Sequence, residues 1–359
     1  MQQLSDYYPV IVAGAGPAGI MAAREAASFG EVLLVDASKF PRNKSCGGML
    51  HEHSQRFLES IAPLPDSLIL DPSHVNFRYV DWDRSIRKPT ELRFINVDRI
   101  DFDHWLLSLL PDNVTVVPSC AVRSVSQDDS GVDVELKRGE DTITVRCEVM
   151  VGADGPRSAV RRSLGVESVS TYVTLQDWVH LDGELEPYFD CIYMRGIGDS
   201  YAYSYVVPKG DRAIVGSVFY PKTKRPHEKQ DQALKAVRAE LPQLGESMGR
   251  EAWVALYLRK PTDVVPGIGR VLLAGEAGGF MSPTSGEGIS YALNSGRLAG
   301  AAVAGAGVDA LRIYTDATSA VRGNIGRKLK WLPFMESRVG KYLAGFVPTP
   351  IVSKVTVGL

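Results

Sequence analysis

The chain has 359 residues, room for one large or two modest domains, and its 45% hydrophobic and 23% charged content is that of an ordinary globular protein. A formal charge of -2, from 40 basic and 42 acidic residues, argues against a nucleic-acid or polyanionic partner. Four scattered cysteines, Cys46, Cys120, Cys147 and Cys191, lack disulfide or zinc spacing, so no metal site is expected and a reducing, cytoplasmic compartment is.

In chain order, Pro9 to Gly14 is a β-branched apolar run that predicts a buried parallel strand, preceded by no basic leader. Pro17 to Phe29 predicts a helix stopped by Gly30, and Glu31 to Val35 a second buried strand ending in Asp36. Phe40 to Ser54 is a polar, glycine-bearing loop, of the kind that carries function rather than fold. Residues 75–94 alternate as strands, and Asp101 to Leu110 predicts a helix. Strands are expected at Val114 to Val117, Val132 to Leu136 and Thr142 to Val151, with a helix near Ser158. From Thr171 to Leu258 the pattern is mostly antiparallel strand, with a helix at His227 to Glu240. Val271 to Ala274 is again a buried strand, and a glycine-rich turn leads into a helix from Gly288 to Val303.

The expected fold is therefore α/β, with a Rossmann-like nucleotide-binding domain on a parallel sheet, assembled from 1–74, 95–170 and 262–310. Segments 75–94 and 171–261 form a substrate domain on a mostly antiparallel sheet, and 311–359 a C-terminal helical segment. No stretch reaches the roughly 20 apolar residues that span a bilayer.

Gly14-x-Gly16-x-x-Gly19 sits between strand and helix, with Asp36 and Ala37 closing the next strand. Gly14 permits the tight turn, Gly16 lets backbone approach a pyrophosphate, and Gly19 allows helix and strand to pack. Pro17 and Ala18 open the helix whose positive end faces the phosphates, and Asp36 would accept from a ribose hydroxyl. This fingerprint alone fits FAD and NAD equally, since both carry ADP.

Two further segments discriminate. Val151-Gly-Ala-Asp-Gly-Pro-Arg-Ser158 resembles the Asp-Gly motif of the p-hydroxybenzoate hydroxylase superfamily, and Gly269 to Gly279 with Gly286-Glu-Gly-Ile289 resembles its second flavin motif. The resemblance implies FAD, with Asp154, Gly275, Gly286, Gly288 and Ile289 at the cofactor and Glu276 on the ribityl chain, where the family usually has Asp. Val122 joins the same cofactor set, and Arg99 matches an arginine that precedes a helix and contacts the cofactor. For Asp154 a structural turn carboxylate remains the alternative, and for Arg99 a surface cation.

Ser45-Cys46-Gly47-Gly48 resembles the Cys-Gly-Gly of the geranylgeranyl reductase family and places Ser45, Cys46 and Gly47 at the cofactor, while Gly275-Glu-Ala-Gly-Gly-Phe-Met-Ser282, with Glu287-Gly-Ile-Ser-Tyr-Ala-Leu293 beyond it, resembles the branch of that family that includes CbrA-type bacterial flavoproteins. Tyr203-Ser-Tyr205-Val-Val-Pro208 resembles that family's Tyr-x-Trp-x-Phe-Pro, so Gly48, Tyr203, Tyr205 and Pro208 are expected to line an apolar substrate slot. The halogenase variant of this strand carries two tryptophans where this chain has tyrosines, and its essential loop lysine is absent.

What the resemblance implies is reduction of C=C bonds in an isoprenoid or other hydrophobic substrate, by hydride from flavin N5 and a proton from an acid, for which Cys46 is the candidate. A small residue shaping the loop is the other role open to Cys46. No second nucleotide fingerprint is present, so NAD(P)H must dock transiently or a protein such as ferredoxin must supply electrons. An aromatic monooxygenase on the same fold is the competing enzyme, and a flavin-bearing lipid-binding or regulatory protein the competitor of another class. His51 and His53 are expected to be solvated, and Trp105 and Tyr291 to be core. The segment 322–354 interleaves cations with Trp331, Phe334 and Phe346, which suits either packing on the protein or peripheral contact with an anionic membrane.

Overall fold

The structure, a computed structural model, describes residues 4–198, 201–344 and 346–348. It opens with β1 (Tyr7–Ala13), α1 (Pro17–Ala26) and β2 (Val32–Val35). Next come β3 (Met49–Leu50), α2 (Glu52–Glu59), β4 (Ile69–Asp81), β5 (Ile86–Val97) and α3 (Arg99–Leu107). β6 (Val114–Val117), β7 (Cys120–Gln127), β8 (Val132–Arg138), β9 (Asp141–Gly152) and α4 (Ala159–Ser163) follow. The middle of the chain forms β10 (Thr171–Leu181), β11 (Tyr188–Tyr193), β12 (Tyr201–Lys209), β13 (Arg212–Phe219), α5 (Pro226–Glu240) and β14 (Leu244–Leu256). The last elements are β15 (Gly267–Ile268), β16 (Val271–Leu273), α6 (Ile289–Ala306), α7 (Ala310–Ala317), α8 (Ser319–Glu336) and α9 (Arg338–Ala344).

The architecture is the expected α/β arrangement of two sheets. In the first, β1 is central and pairs in parallel with β2 and β9, while β6 and β16 extend the parallel core. A strand covered on both faces reads as a continuous apolar run, and Val10 to Ala13 are all essentially inaccessible. The second sheet runs β14-β10-β13-β12-β11-β4-β5-β3 and is antiparallel except where β11 meets β4. Its alternation assigns two jobs: Val206 and Val215 pack against Val237 of α5, whereas Tyr205 and Val207 face the other side.

α6 packs on α1 backbone to backbone. A side chain at Gly296 would overlap the Ala18 carbonyl, so this approach is closed to any larger residue. The contact holds the starts of both helices toward one space between the sheets.

Three local expectations need correction. The segment Phe40 to Ser54 is not wholly loop: β3 lies inside it and α2 begins at Glu52, with His51 as its N-cap. His51 is buried rather than solvated, at 6% exposure, and burial together with His53, Arg56 and Lys328 lowers its pKa to about 4. β7 was not anticipated, because its half-exposed sequence lacks strict alternation.

The C-terminal segment is helical through α9. α8 buries Ile325, Leu329 and Leu332 in the main core, so its inner face packs on the protein, while Trp331 is 59% and Phe334 45% exposed. Lys354 and the remainder of 349–359 lie outside the described residues. No helix among the described residues is long and apolar enough to cross a membrane.

Candidate functional site

A cavity of about 870 Å³ runs between the two sheets. One end is formed by Gly14, Gly16, Pro17 and Ala18 at the β1–α1 turn and by Asp36 and Ala37 after β2. Gly14 has φ 95°, and a Cβ there would strike the Ala153 carbonyl and lie 2.9 Å from Asp154 Cα. α1 begins with Gly16 as N-cap, Pro17 in its first turn and no side-chain cap, leaving its N-terminal amides to an outside acceptor. Asp36, 7% exposed, accepts from the Ala15 and Ser38 amides, each at 2.7 Å, which ties the glycine turn to the end of β2.

Above Gly16 lies Arg42, which the sequence reading missed. A Cβ on Gly16 would sit 2.9 Å from Arg42 Nη2, and that nitrogen donates to Asp103 Oδ2 at 2.8 Å. Arg42 Nε is buried without a hydrogen-bond partner among the described residues. An under-used guanidinium over a glycine turn and a helix N-terminus is the donor set a diphosphate requires, so this end fits the ADP half of FAD.

Arg99 is a buried wall residue, not a surface cation. Its guanidinium forks onto Asp103, with Nη2 at 2.9 Å from Oδ1 and 3.0 Å from Oδ2, and also hydrogen-bonds Cys46. Burial opposes ionisation of the Cys46 thiol, but Arg99, the Gly48 amide and Lys44 outweigh it and hold the thiol below its ordinary value.

The loop bearing Cys46 is pinned from both sheets. Ser45 Oγ donates to Glu251 at 3.1 Å, and Glu251 also accepts from Asn43, Gln176 and Trp178. Lys44 pairs with Glu276 at 3.2 Å. Gly48 has φ 60°, and a side chain there would overlap the Val97 carbonyl. Beneath it Lys209, 2% exposed, donates to Asn96 Oδ1 at 2.6 Å, Val97 O at 2.9 Å and Gly48 O at 3.2 Å. Burial lowers the Lys209 pKa to about 7.

The opposite wall comes from the turn before α6. Gly275, Glu276, Gly286, Gly288 and Ile289 all line it, and Val122 lies on the same cavity. The Glu276 carboxylate is engaged by Lys44 and by the Leu256 amide at 3.3 Å. Asp154 borders the cavity, yet its carboxylate accepts from the Ala159 amide at 2.6 Å and from Ser158, and so caps the start of α4.

Beyond Gly47 and Gly48 the lining turns apolar. Tyr203 and Tyr205 face the cavity, and Tyr205 stacks on Phe189 at 5.5 Å, which in turn stacks on Phe77 at 5.8 Å. Trp331 and Phe334 of α8 complete this end. Two expected site residues stand apart. Gly19 does not line the cavity; a side chain there would overlap the Gly14 carbonyl, which is the packing job foreseen for it. Pro208 does not line it either: its carbonyl accepts from Asn96 at 3.0 Å, and it borders a separate cavity of about 220 Å³ beside Arg78 and Asp190.

Arg42, Lys44, Asp103, Lys209 and Glu251 were not singled out from sequence. Arg42 and Lys44 had a signal, since both lie in the polar loop already marked for function.

The model of the FAD binding domain family matches residues 111–307, a span that includes Asp154 and the turn before α6. Protein CbrA from Escherichia coli O139:H28 is 32% identical over 299 residues, covering 81% of this chain and 82% of CbrA. In fold, a geranylgeranyl bacteriochlorophyll reductase-like protein from Thermoplasma acidophilum superposes with a TM-score of 0.80 at 19% identity, covering 98% of this chain and 92% of that one. A triple mutant of the flavin-dependent brominase Bmp2 superposes with a TM-score of 0.73 at 19% identity, covering 96% and 93%. The chain belongs to the FAD binding domain family of FAD-dependent oxidoreductases, with CbrA among its relatives.

Proposed function

We propose that this flavoprotein reduces C=C bonds of a hydrophobic, isoprenoid-like substrate. The observation that supports the reading is the continuity of the cavity: the glycine turn at Gly14 to Gly16, Cys46 and the aromatic side chains of Tyr203 and Tyr205 all border one space. Reduced FAD, when bound, supplies a hydride.

In this account Arg42 and the first turn of α1 hold the diphosphate, and Asp36 presents its carboxylate beside the glycine turn. Tyr203, Tyr205 and Phe189 orient an apolar chain and exclude water. Cys46 gives its Sγ proton to the alkene carbon that does not receive the hydride, so the substrate gains one hydride and one proton. The thiolate left behind is stabilised by Arg99 and the Gly48 amide, and solvent returns the proton. The electron donor is NAD(P)H or a ferredoxin-type protein, which docks only for the transfer.

Exposed Trp331 and Phe334, which line the cavity, each lie one turn of α8 from an exposed cation, Arg327 and Lys330, which supports loading of a lipid from an anionic membrane surface. The test is anaerobic: reduced holoprotein is mixed with polyprenyl alkenes of increasing length while flavin absorbance is followed. Chain-length-dependent reoxidation without oxygen is expected. Reoxidation that needs oxygen and yields a hydroxylated product would establish the monooxygenase instead, and a bound lipid recovered unchanged would establish a binding protein.

A further inference from the structure

Behind the aromatic wall, four strands of the second sheet line up one rung. Tyr205 of β12 is the register partner of Gly216 of β13, Gly216 of Gln176 of β10, and Gln176 of Glu251 of β14. Partners on neighbouring strands share a face of the sheet, so the three side chains stand on one side of it. Gly216 supplies the gap between them: a side chain there would overlap the Tyr205 ring, and its absence lets the phenol reach across β13. Tyr205 Oη donates to Gln176 Oε1 at 3.1 Å, and Gln176 Nε2 donates to Glu251 Oε2 at 2.6 Å. The same carboxylate oxygen accepts from Ser45 Oγ at 3.1 Å, while Oε1 accepts from the Asn43 amide and from Trp178 Nε1 at 3.2 Å.

The chain of bonds has one polarity. A carboxylate can only accept, so Gln176 must turn its amide nitrogen to Glu251 and its carbonyl to Tyr205, whose hydroxyl must then donate. Gln176 is 2% and Tyr205 7% exposed, so leaving either bond unmade would strand a buried polar group. At the far end, Asn43 and Ser45 alternate along the loop with Arg42 and Lys44, which pair with Asp103 and Glu276, and Cys46 follows on Arg99. Gln176 and Glu251 do not line the cavity; Tyr205, Ser45 and Cys46 do.

We propose that Gln176 and Glu251 are positioning residues that fix the Cys46 loop to the wall at Tyr205, so that the thiol keeps its contact with Arg99. With its single proton committed to Gln176, Tyr205 is a wall and not a second acid. The inference rests on the proposed role of Cys46 as proton donor, but its test follows the thiol without substrate, so failure of either is seen separately.

The experiment is the pH profile of Cys46 alkylation by iodoacetamide in the FAD-bound protein, followed by mass spectrometry of the Cys46 peptide, for the native protein, Glu251→Gln and Tyr205→Phe. Cys120, Cys147 and Cys191 are buried, and burial pushes their thiols up, so Cys46 is resolved from them. Arg99 of α3, Lys44 of the loop, and Lys209, Tyr203 and Tyr205 of β12 act on the Cys46 thiol. Burial pushes the Tyr205 hydroxyl well above its ordinary value, so Tyr205→Phe takes no charge from the thiol's surroundings. Loss of the Glu251 charge would by itself lower the thiol's midpoint, so a rise is the signature of a displaced loop. Both midpoints should rise toward that of an ordinary thiol, that of Glu251→Gln by more. A native or lowered midpoint in Glu251→Gln overturns the proposal, and so does a native midpoint in Tyr205→Phe. If Glu251→Gln does not fold, Tyr205→Phe, which keeps the ring and its packing, decides alone by the same criterion.

Discussion

The Arg42 guanidinium lies over Gly16 with one nitrogen on Asp103 at 2.8 Å and Nε buried without a partner among the described residues, so Arg42→Met removes a cation whose donors those residues do not all use. Asp103 keeps the forked pair from Arg99, so no buried carboxylate is stranded and the fold should survive. A hydrogen bond to a charged group is worth about 1.5–3 kcal/mol, which at about 1.4 kcal/mol per decade predicts a tenfold to hundredfold loss of FAD affinity. The assay is reconstitution of apoprotein with FAD, followed by flavin fluorescence, at two salt concentrations, with thermal unfolding of the apoprotein as the control for folding. Arg42→Lys should recover only part of the loss, because a point charge cannot reproduce a planar fork. A variant that binds FAD within twofold of the native protein would refute the placement of the diphosphate at this turn.

Alkylation of Cys46 by iodoacetamide in the FAD-bound protein should follow a pH midpoint below that of an unperturbed thiol, because Arg99, Gly48 N–H and Lys44 outweigh the burial that opposes ionisation; an ordinary or raised midpoint contradicts the arrangement. Lys209 has its folded pKa depressed by burial from 10.5 to about 7, so between those values the unfolded chain binds the extra proton and stability must rise with pH across that window. In Lys209→Met that part of the rise should vanish, as read from denaturant midpoints at pH 7 and pH 10. Trp331→Ala with Phe334→Ala should lower co-sedimentation with anionic phospholipid vesicles several-fold while leaving FAD content unchanged, and equal sedimentation would remove the membrane-loading proposal.

The parts of the molecule that were legible in the sequence are those whose causes are local. Val10 to Ala13 announces a strand covered on both faces because all four residues are apolar, and the glycines at 14, 16 and 19 announce a turn because no other residue fits their backbone or spacing. Tyr203 and Tyr205 point the same way because strands alternate, so their shared face was readable from spacing two. What stayed hidden depends on pairings across the chain. Lys44 meets Glu276, Ser45 meets Glu251, and Lys328 reaches Ser282 only after the two sheets and α8 are assembled. Glu276 was assigned from its motif to the ribityl chain, and the loop cation that engages it lies 232 residues away, with no local pattern to reveal it. Pro208 was placed in the substrate slot by its neighbours in sequence, yet the end of β12 turns its carbonyl to Asn96 and away from the main cavity. His51 looked solvated among polar neighbours, and only the packing of α2 shows it buried against Phe94 at a ring distance of 5.7 Å.

The central claim is that one cavity joins the FAD site to a hydrophobic alkene site, and product analysis after a single anaerobic turnover tests it most directly. Reduced holoprotein incubated with a polyprenyl substrate should yield that substrate carrying two additional hydrogens, and Cys46→Ser should slow its formation while FAD remains bound. Substrate recovered unchanged without oxygen, and oxygenated once air is admitted, would contradict the account.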